Sequence, residues 1–358
     1  MKKHSMLAIG LLLVSGNAFA QRGAGRPETF QKIDVPGAVV TIASGINNDG
    51  YIVGWYCAQL PCNGSLGTEA NPRIRGFVQN TDGSFTYLNA NDCPSPQTNP
   101  PTPCNHATGT QPRYISPQGV VIGAYLSEPF KQPNGITAPR FRGFAWYQGT
   151  FTFFDAPDVD ANNQPVYDNP SWPHSIIPRA INARGEIVGC IHDKDQMDSM
   201  HGFRLHEGNF TRLEDPSTMN NGVNAKGELV GLDFMMLSGY RRDDSGNIVE
   251  RISFSGADET DAWDINARGE IVGQAITNNF TVGHAFLRSK QGDYRYIEPP
   301  DVFSASCLAN SSTRGLPCTS VAFAIADSGN VVGQYRDSFA NCSTTACVHG
   351  FLLQFGDE

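Results

Sequence analysis

The chain has 358 residues, of which only 17% are charged, and its 37 Gly and 23 Pro make up about one residue in six. That composition argues against a helix-rich architecture and for many short strands joined by turns. The lack of a three-residue Gly period excludes collagen, 40% hydrophobic and 10% aromatic residues argue against disorder, and a net charge of −9 disfavours nucleic acid or an anionic membrane as partner.

In chain order, Lys2, Lys3 and His4 form a basic start, Met6 to Val14 an apolar run, and Ala18-Phe19-Ala20 a small-residue cleavage triplet. Residues 1–20 therefore read as a signal peptide, with a mature chain from Gln21 exported to the periplasm or the medium. The apolar run is too short to span a bilayer, and no cysteine at the cleavage point can carry a lipid. Loss of two lysines leaves 24 basic against 35 acidic residues, a net charge near −11.

An isolated strand follows at Thr29 to Pro36. After it the pattern I/V-N-x-x-G-x-I/V-V-G recurs six times with small departures, ending at Gly54, Gly123, Gly189, Gly231, Gly273 and Gly333. Each copy precedes an R/H-G-F element (Gly76-Phe77, Gly143-Phe144, His201-Gly202-Phe203, a weak Gly239-Tyr240, His284-Ala285-Phe286 and His349-Gly350-Phe351). A G-x-F-x-x-x-D/E element comes third, as from Gly149 to Asp155 and from Gly208 to Glu214. The unit reads as four antiparallel strands. Asn47, Asn182, Asn224 or Asn266 is expected to bond its own first turn, and the Gly three residues on to supply positive φ.

The sixth copy ends at Phe355 without its last strand, which the N-terminal strand can provide. The predicted fold is one all-β domain over residues 21–358: a six-bladed β-propeller of four-stranded antiparallel blades, the last completed by residues 29–36 so that the ring closes and leaves no open edge. The N-x-x-G-x-I-V-G and H-G-F elements, with His284-Ala285-Phe286 in one copy, resemble those of the HAF-repeat extracellular proteins of bacteria. The resemblance spans essentially the whole mature chain, departs at Gly239-Tyr240, and implies export and repetitive β structure. It brings no activity to carry over.

The repeat glycines are spaced 69, 66, 42, 42 and 60 residues apart, so a bare unit of 42 carries insertions in some intervals and none in others. The insertions (Cys57 to Arg73, Asn91 to Thr110, Leu126 to Arg140, Pro157 to Pro173, Asp301 to Cys318, Asp337 to Val348) fall in two loop classes that strand alternation puts on one face. Function on repeat scaffolds concentrates in such loops. Eight of nine cysteines sit there with matched spacings, which points to the disulfides Cys57/Cys62, Cys93/Cys104, Cys307/Cys318 and Cys342/Cys347 in an oxidising compartment. Cys190 is left over, as a packed apolar thiol.

No nucleophile elbow, metalloprotease helix, phosphate loop or dinucleotide fingerprint is present in a suitable context. Asp193, Asp195 and Asp198 form a candidate Ca²⁺ loop that lacks the glycine and final Glu of an EF-hand, so no cofactor is predicted. His201, His284 and His349 recur at one repeat position and read as strand-bridging. His106 and His174 lie in inserted loops, where a histidine can act as general acid or base. Three residues before the turn Asn, the inner strands carry Ser44, Arg113, Arg179, Asn221, Trp263 and Phe323. The next inward position is Ile or Val in every copy, so this variable ring is expected at the channel mouth. There Arg113 and Arg179 can clamp a carboxylate, with Trp263 and Phe323 opposite as a stacking surface and Asn221 between.

The expected function is an exported, monomeric binding or scaffold protein presenting a disulfide-pinned loop face to an extracellular glycan or protein. The alternative is a polysaccharide lyase or hydrolase working at the mouth through Arg113, Arg179 and His174, a reading by analogy with other propellers.

Overall fold

The computed structural model describes residues 28–60, 62, 73–90, 109–126, 130–131, 137–138, 140–156, 175–192, 200–300, 318–336 and 347–355. The expected signal peptide lies outside the described residues. The chain is all-β. Its strands are β1 (Glu28–Ile33), β2 (Val40–Ile46), β3 (Ile52–Cys57), β4 (Arg75–Gln79), β5 (Phe85–Leu88), β6 (Thr110–Ile115), β7 (Val121–Leu126), the short β8 (Phe130–Lys131) and β9 (Thr137–Ala138), β10 (Phe141–Tyr147) and β11 (Thr150–Phe154). Then come β12 (Ser175–Ile181), β13 (Ile187–His192), β14 (Met200–His206), β15 (Asn209–Pro216), β16 (Thr218–Val223), β17 (Leu229–Asp233), β18 (Ser238–Arg242) and β19 (Ile248–Ile252). The last are β20 (Glu259–Ile265), β21 (Ile271–Thr277), β22 (Val282–Arg288), β23 (Tyr294–Ile297), β24 (Cys318–Ile325), β25 (Val331–Arg336) and β26 (Val348–Phe355).

Antiparallel ladders sort these into four-stranded sets, one per sequence repeat. They are β2-β3-β4-β5, β6-β7-β10-β11, β12-β13-β14-β15, β16-β17-β18-β19, β20-β21-β22-β23 and β24-β25-β26-β1. In the last set the N-terminal strand does take the fourth place: Glu28 faces Phe355 and Ile33 faces Gly350. Separate blades were expected, yet short parallel contacts (Val282 with Cys318, Val40 with Val348) fuse three sets into one mixed twelve-stranded sheet. An isolated parallel bridge joins Ile74 to Gly109 at the corresponding corner, linking the β2-β3-β4-β5 set to the β6-β7-β10-β11 set.

Each inner strand carries a β-bulge at the same place: pairing slips at Ser44, Arg113, Arg179, Asn221, Trp263 and Phe323. Beside the bulge the two backbones approach so closely that only glycine fits. A Cβ on Gly54 would lie 1.9 Å from the Ile42 carbonyl oxygen and 2.8 Å from Phe77, and one on Gly273 1.9 Å from that of Asp261 and 2.7 Å from Phe286. The I-V-G and H-G-F elements are therefore two halves of one contact, with the Phe ring lying over the Gly. Phe77, Phe144, Phe203, Phe286 and Phe351 are fully buried, and Tyr240 takes the place in the departing copy, its hydroxyl donating to the Met219 carbonyl at 2.9 Å.

The turn asparagines do what their sequence context indicates. The Asn224 Oδ1 accepts the amides of Lys226 and Glu228 at 3.0 and 3.1 Å, and Gly227 three residues on has φ 82°. The same side chains also reach sideways: Asn182 Nδ2 donates to the carbonyl of Asn224, Asn224 to that of Asn266, and Asn266 to that of Ala326, at 3.0, 3.3 and 3.3 Å. Asp327 continues the series onto the first repeat, accepting from Asn48 Nδ2 at 3.1 Å while its own amide donates to Asn48 Oδ1 at 2.8 Å. Inside these turns a cavity of about 70 Å³ is lined by all six repeats, among them the buried Ile46, Ile115, Ile181, Val223, Ile265 and Ile325. The innermost strands touch in succession, β2, β6, β12, β16, β20, β24 and again β2.

One hydrogen bond spans the middle of this arrangement. The Tyr114 hydroxyl donates to Asp264 Oδ2 at 2.9 Å, three repeats on, and the Ile325 amide donates to the same oxygen at 2.9 Å. Burial pushes the Asp264 carboxyl up to about 7 against the pull of those donors, and burial with the Asp264 charge holds the Tyr114 phenol well above its ordinary value.

Two outcomes follow for stability. Asn224→Ala strands the Lys226 and Glu228 amides and removes the bond to the Asn266 carbonyl, so denaturant titration should show a loss of about 2–3 kcal/mol. Because the folded state holds a proton on Asp264 that the unfolded chain releases near pH 4, this group stabilises at low pH and its contribution is lost as pH rises through about 7. Thermal melts of Asp264→Asn against wild type between pH 4 and 8 should show that decline reduced in the variant.

Candidate functional site

The bulge does two things to the residue it adds: it removes that residue from ladder pairing and re-aims its side chain. Of the six bulge residues, Ser44 and Asn221 turn between neighbouring sheets. Ser44 Oγ donates to the Pro112 carbonyl at 2.7 Å and Asn221 Nδ2 to that of Ala262 at 2.9 Å, and both residues are buried. Asn221 thus serves as an inter-sheet link, although its enclosed Oδ1 has no partner among the described residues.

Arg113, Arg179, Trp263 and Phe323 are half-buried. The Arg179 guanidinium lies 5.2 Å from the Trp263 ring centroid, and Trp263 meets Phe323 edge to face at 5.0 Å. The aromatic pair therefore continues from the arginines instead of standing opposite them. Arg113 donates to Gln111 Oε1 at 2.5 Å. Burial first, and then the charge of Arg179, pull the Arg113 guanidinium down to about 9. The Nε of Arg113, the Nε of Arg179 and the Trp263 indole N–H are all enclosed without a hydrogen-bond partner among the described residues. Nor does any carboxylate among the described residues form an ion pair with either arginine. Among the described residues the two neighbouring guanidiniums thus have no counter-charge, and Arg113 is desolvated as well, an arrangement that an anion relieves.

Two residues before Trp263 on β20, Asp261 is 7% exposed and its Oδ1 has no hydrogen-bond partner among the described residues. Burial, followed by the charge and hydrogen bond of Glu259, holds its carboxyl well above the usual range. Sequence reasoning missed both the bulge and Asp261. The signal was a polar residue in a repeat column filled elsewhere by Ile42, Ile177, Met219 and Val321; Gln111, which binds Arg113, stands in the same column.

The repeat histidines join third strands to fourth strands: His201 Nε2 lies 2.8 Å from Arg212, His349 Nδ1 2.8 Å from Asp34 Oδ1, and His284 stacks on Tyr296 at 4.6 Å. Cys57 and Cys62 form a disulfide, Cys347 is disulfide-bonded, and Cys190 is a buried thiol packed with Ile177, Met219 and Leu232. His106, His174, Asp193, Asp195, Asp198, Cys93, Cys104, Cys307, Cys342 and the Cys318 side chain lie outside the described residues. Among the described residues no group of three or more His, Cys, Asp or Glu is placed to hold a metal.

No protein family and no curated protein matches the chain. Among solved structures it is similar to virginiamycin B lyase from Staphylococcus aureus, at 12% identity over 92% of this chain and 100% of that one, with a TM-score of 0.44. It is also similar to the β-propeller domain of the Trilobed protease from Pyrococcus furiosus (10% identity, 90% and 95% covered, TM-score 0.42). A family 117 glycoside hydrolase from Zobellia galactanivorans gives 10% identity, 91% and 90% covered, and a TM-score of 0.37. These likenesses carry nothing about ligand or reaction.

Supplying the missing charge from within tests the electrostatic reading. Gln111→Glu places a carboxylate against Arg113, and the variant should melt about 2–4 °C above wild type at pH 7 in differential scanning calorimetry.

Proposed function

We propose that the chain is an exported, monomeric binding protein, a closed six-bladed β-propeller completed by its N-terminal strand, that holds an anionic extracellular ligand at the mouth of its central channel. The succession of inner-strand contacts, the cavity lined by six repeats and the β1–β26 pairing support the closed ring. The observation that carries the function is the pair Arg113 and Arg179, half-buried beside Trp263 and Phe323 with no carboxylate partner among the described residues. A planar guanidinium fork suits a carboxylate, and an adjoining aromatic wall suits a sugar ring or an apolar side chain. An acidic glycan or a carboxylate-bearing protein segment has that chemistry. Disulfide-held loops such as Cys57–Cys62 would frame the mouth, and an acidic chain disfavours nucleic acid and anionic membrane.

Asp261 favours a second reading, a polysaccharide lyase or hydrolase. A carboxyl that burial and a neighbouring acid hold above the usual carboxylate range is what a general acid requires, and this one lies two residues from the aromatic wall. Calorimetric titration with uronate oligosaccharides and acidic peptides, run beside assays for reducing ends and unsaturated products, separates the two. Binding without turnover, lost at least tenfold in Arg179→Ala at unchanged melting temperature, is the expected result. Turnover that disappears in Asp261→Asn would establish the enzyme reading instead.

A further inference from the structure

A line of exposed apolar side chains leads outward from the arginine mouth. Trp263 and Phe234 border the same buried cluster of Ile177, Cys190, Met219 and Leu232. Phe234 opens the turn between β17 and β18, whose next residues Met235, Met236 and Leu237 are 76%, 63% and 40% exposed. This turn is held firmly. Asp233 Oδ1 accepts the amides of Met235 and Met236 at 3.1 Å each, its Oδ2 accepts from Arg251 at 2.7 Å, and the Leu237 carbonyl accepts the Thr260 amide at 3.1 Å. Leu237 is kept at φ 50°, a conformation that costs a branched apolar residue free energy. On the next repeat Phe280 is 39% exposed at φ 62°, with its amide donating to Asp258 at 3.3 Å, two residues from Thr260.

A rigid turn that displays two methionines and a leucine to solvent is costly to solubility and contributes no core packing. Methionine adapts to varied apolar partners, so such a tip suits apolar recognition better than hydroxyl-rich sugar. Resting on the reading of Arg113 and Arg179 as an anion clamp, we infer that the ligand is a peptide segment with a bulky apolar side chain next to a carboxylate. The carboxylate would sit on the two guanidiniums, and the apolar part along Trp263, Phe234 and Met235–Leu237. A uronate glycan satisfies the first half of this surface and leaves the second unused.

The test uses the full mature chain and three probes: an N-acetylated tetrapeptide ending in leucine and phenylalanine as its free acid, the same peptide as its C-terminal amide, and trigalacturonate. Affinities are read by calorimetry and by Trp fluorescence. The free acid should bind at least tenfold more tightly than the amide and than trigalacturonate. Joint Met235→Ser and Met236→Ser substitution, at exposed positions, should weaken the free acid about tenfold and leave trigalacturonate unchanged. If that double variant binds the free acid as wild type does while Arg113→Met loses it, the apolar half is wrong and the clamp stands. If trigalacturonate binds more tightly than the free acid, the ligand is a glycan and the peptide inference falls. If Arg113→Met and Arg179→Met, both folded by their melting curves, bind every probe as wild type does, the clamp fails as well.

Discussion

Each inner strand holds one residue more than the strand it pairs with, and the rest of the architecture is arranged around that surplus. The bulge brings a carbonyl against the second strand, which forbids a Cβ there and fixes the repeat glycine. The bare glycine in turn admits the Phe ring of the third strand. Three strands are locked by one local mismatch, and the same mismatch releases the added residue from any pairing duty. Conserving the repeat and varying the ring are thus compatible: Ser44 and Asn221 use the freedom to join sheets, while Arg113, Arg179, Trp263 and Phe323 use it to build a surface.

The turns on the other face solve a different problem, the registration of neighbouring sheets that share few ladder bonds. An Asn that satisfies its own turn still has donor capacity, and the structure spends it on the next turn's carbonyl. Asn182, Asn224 and Asn266 form such a series, and Asn48 with Asp327 carries it across the seam between first and last repeats. These bonds are largely buried, where hydrogen bonds count for more, so a displaced turn would lose contacts in two repeats at once. Tyr114 and Asp264 add a hydrogen bond between the second and fifth repeats.

Much of the fold was legible in the sequence because the same physical demands recur six times. Positive φ calls for the turn glycines, close approach for those of I-V-G, and the missing final strand for residues 29–36. The bulge was not legible, since one extra residue in a strand leaves no mark on a pattern that every copy shares. The ring was found by its variability, but its partition into links and mouth residues depends on which neighbour each side chain meets. Asp261 escaped notice because an Asp in a Gly- and Asp-rich sequence looks like a turn residue until its column in the repeat is compared. The parallel corners that join sheets, at Val40 with Val348 and Val282 with Cys318, arise where inserted loops depart, and loop sequence says little about such contacts.

The pairing of β1 with β26, reinforced by His349 on Asp34, places residues 315 apart in one sheet. A solenoid can fray repeat by repeat from either end, since each end belongs to a different unit. Here the first and last described strands belong to the same unit, so neither can peel away without opening the seam that retains the other. The β1–β26 pair is a contact of very high sequence separation, which topology makes slow to form, and the edge of β26 stays open until it is made. A chaperone or a protease acting on the newly made chain would meet an unpaired β26 edge until that pair is made.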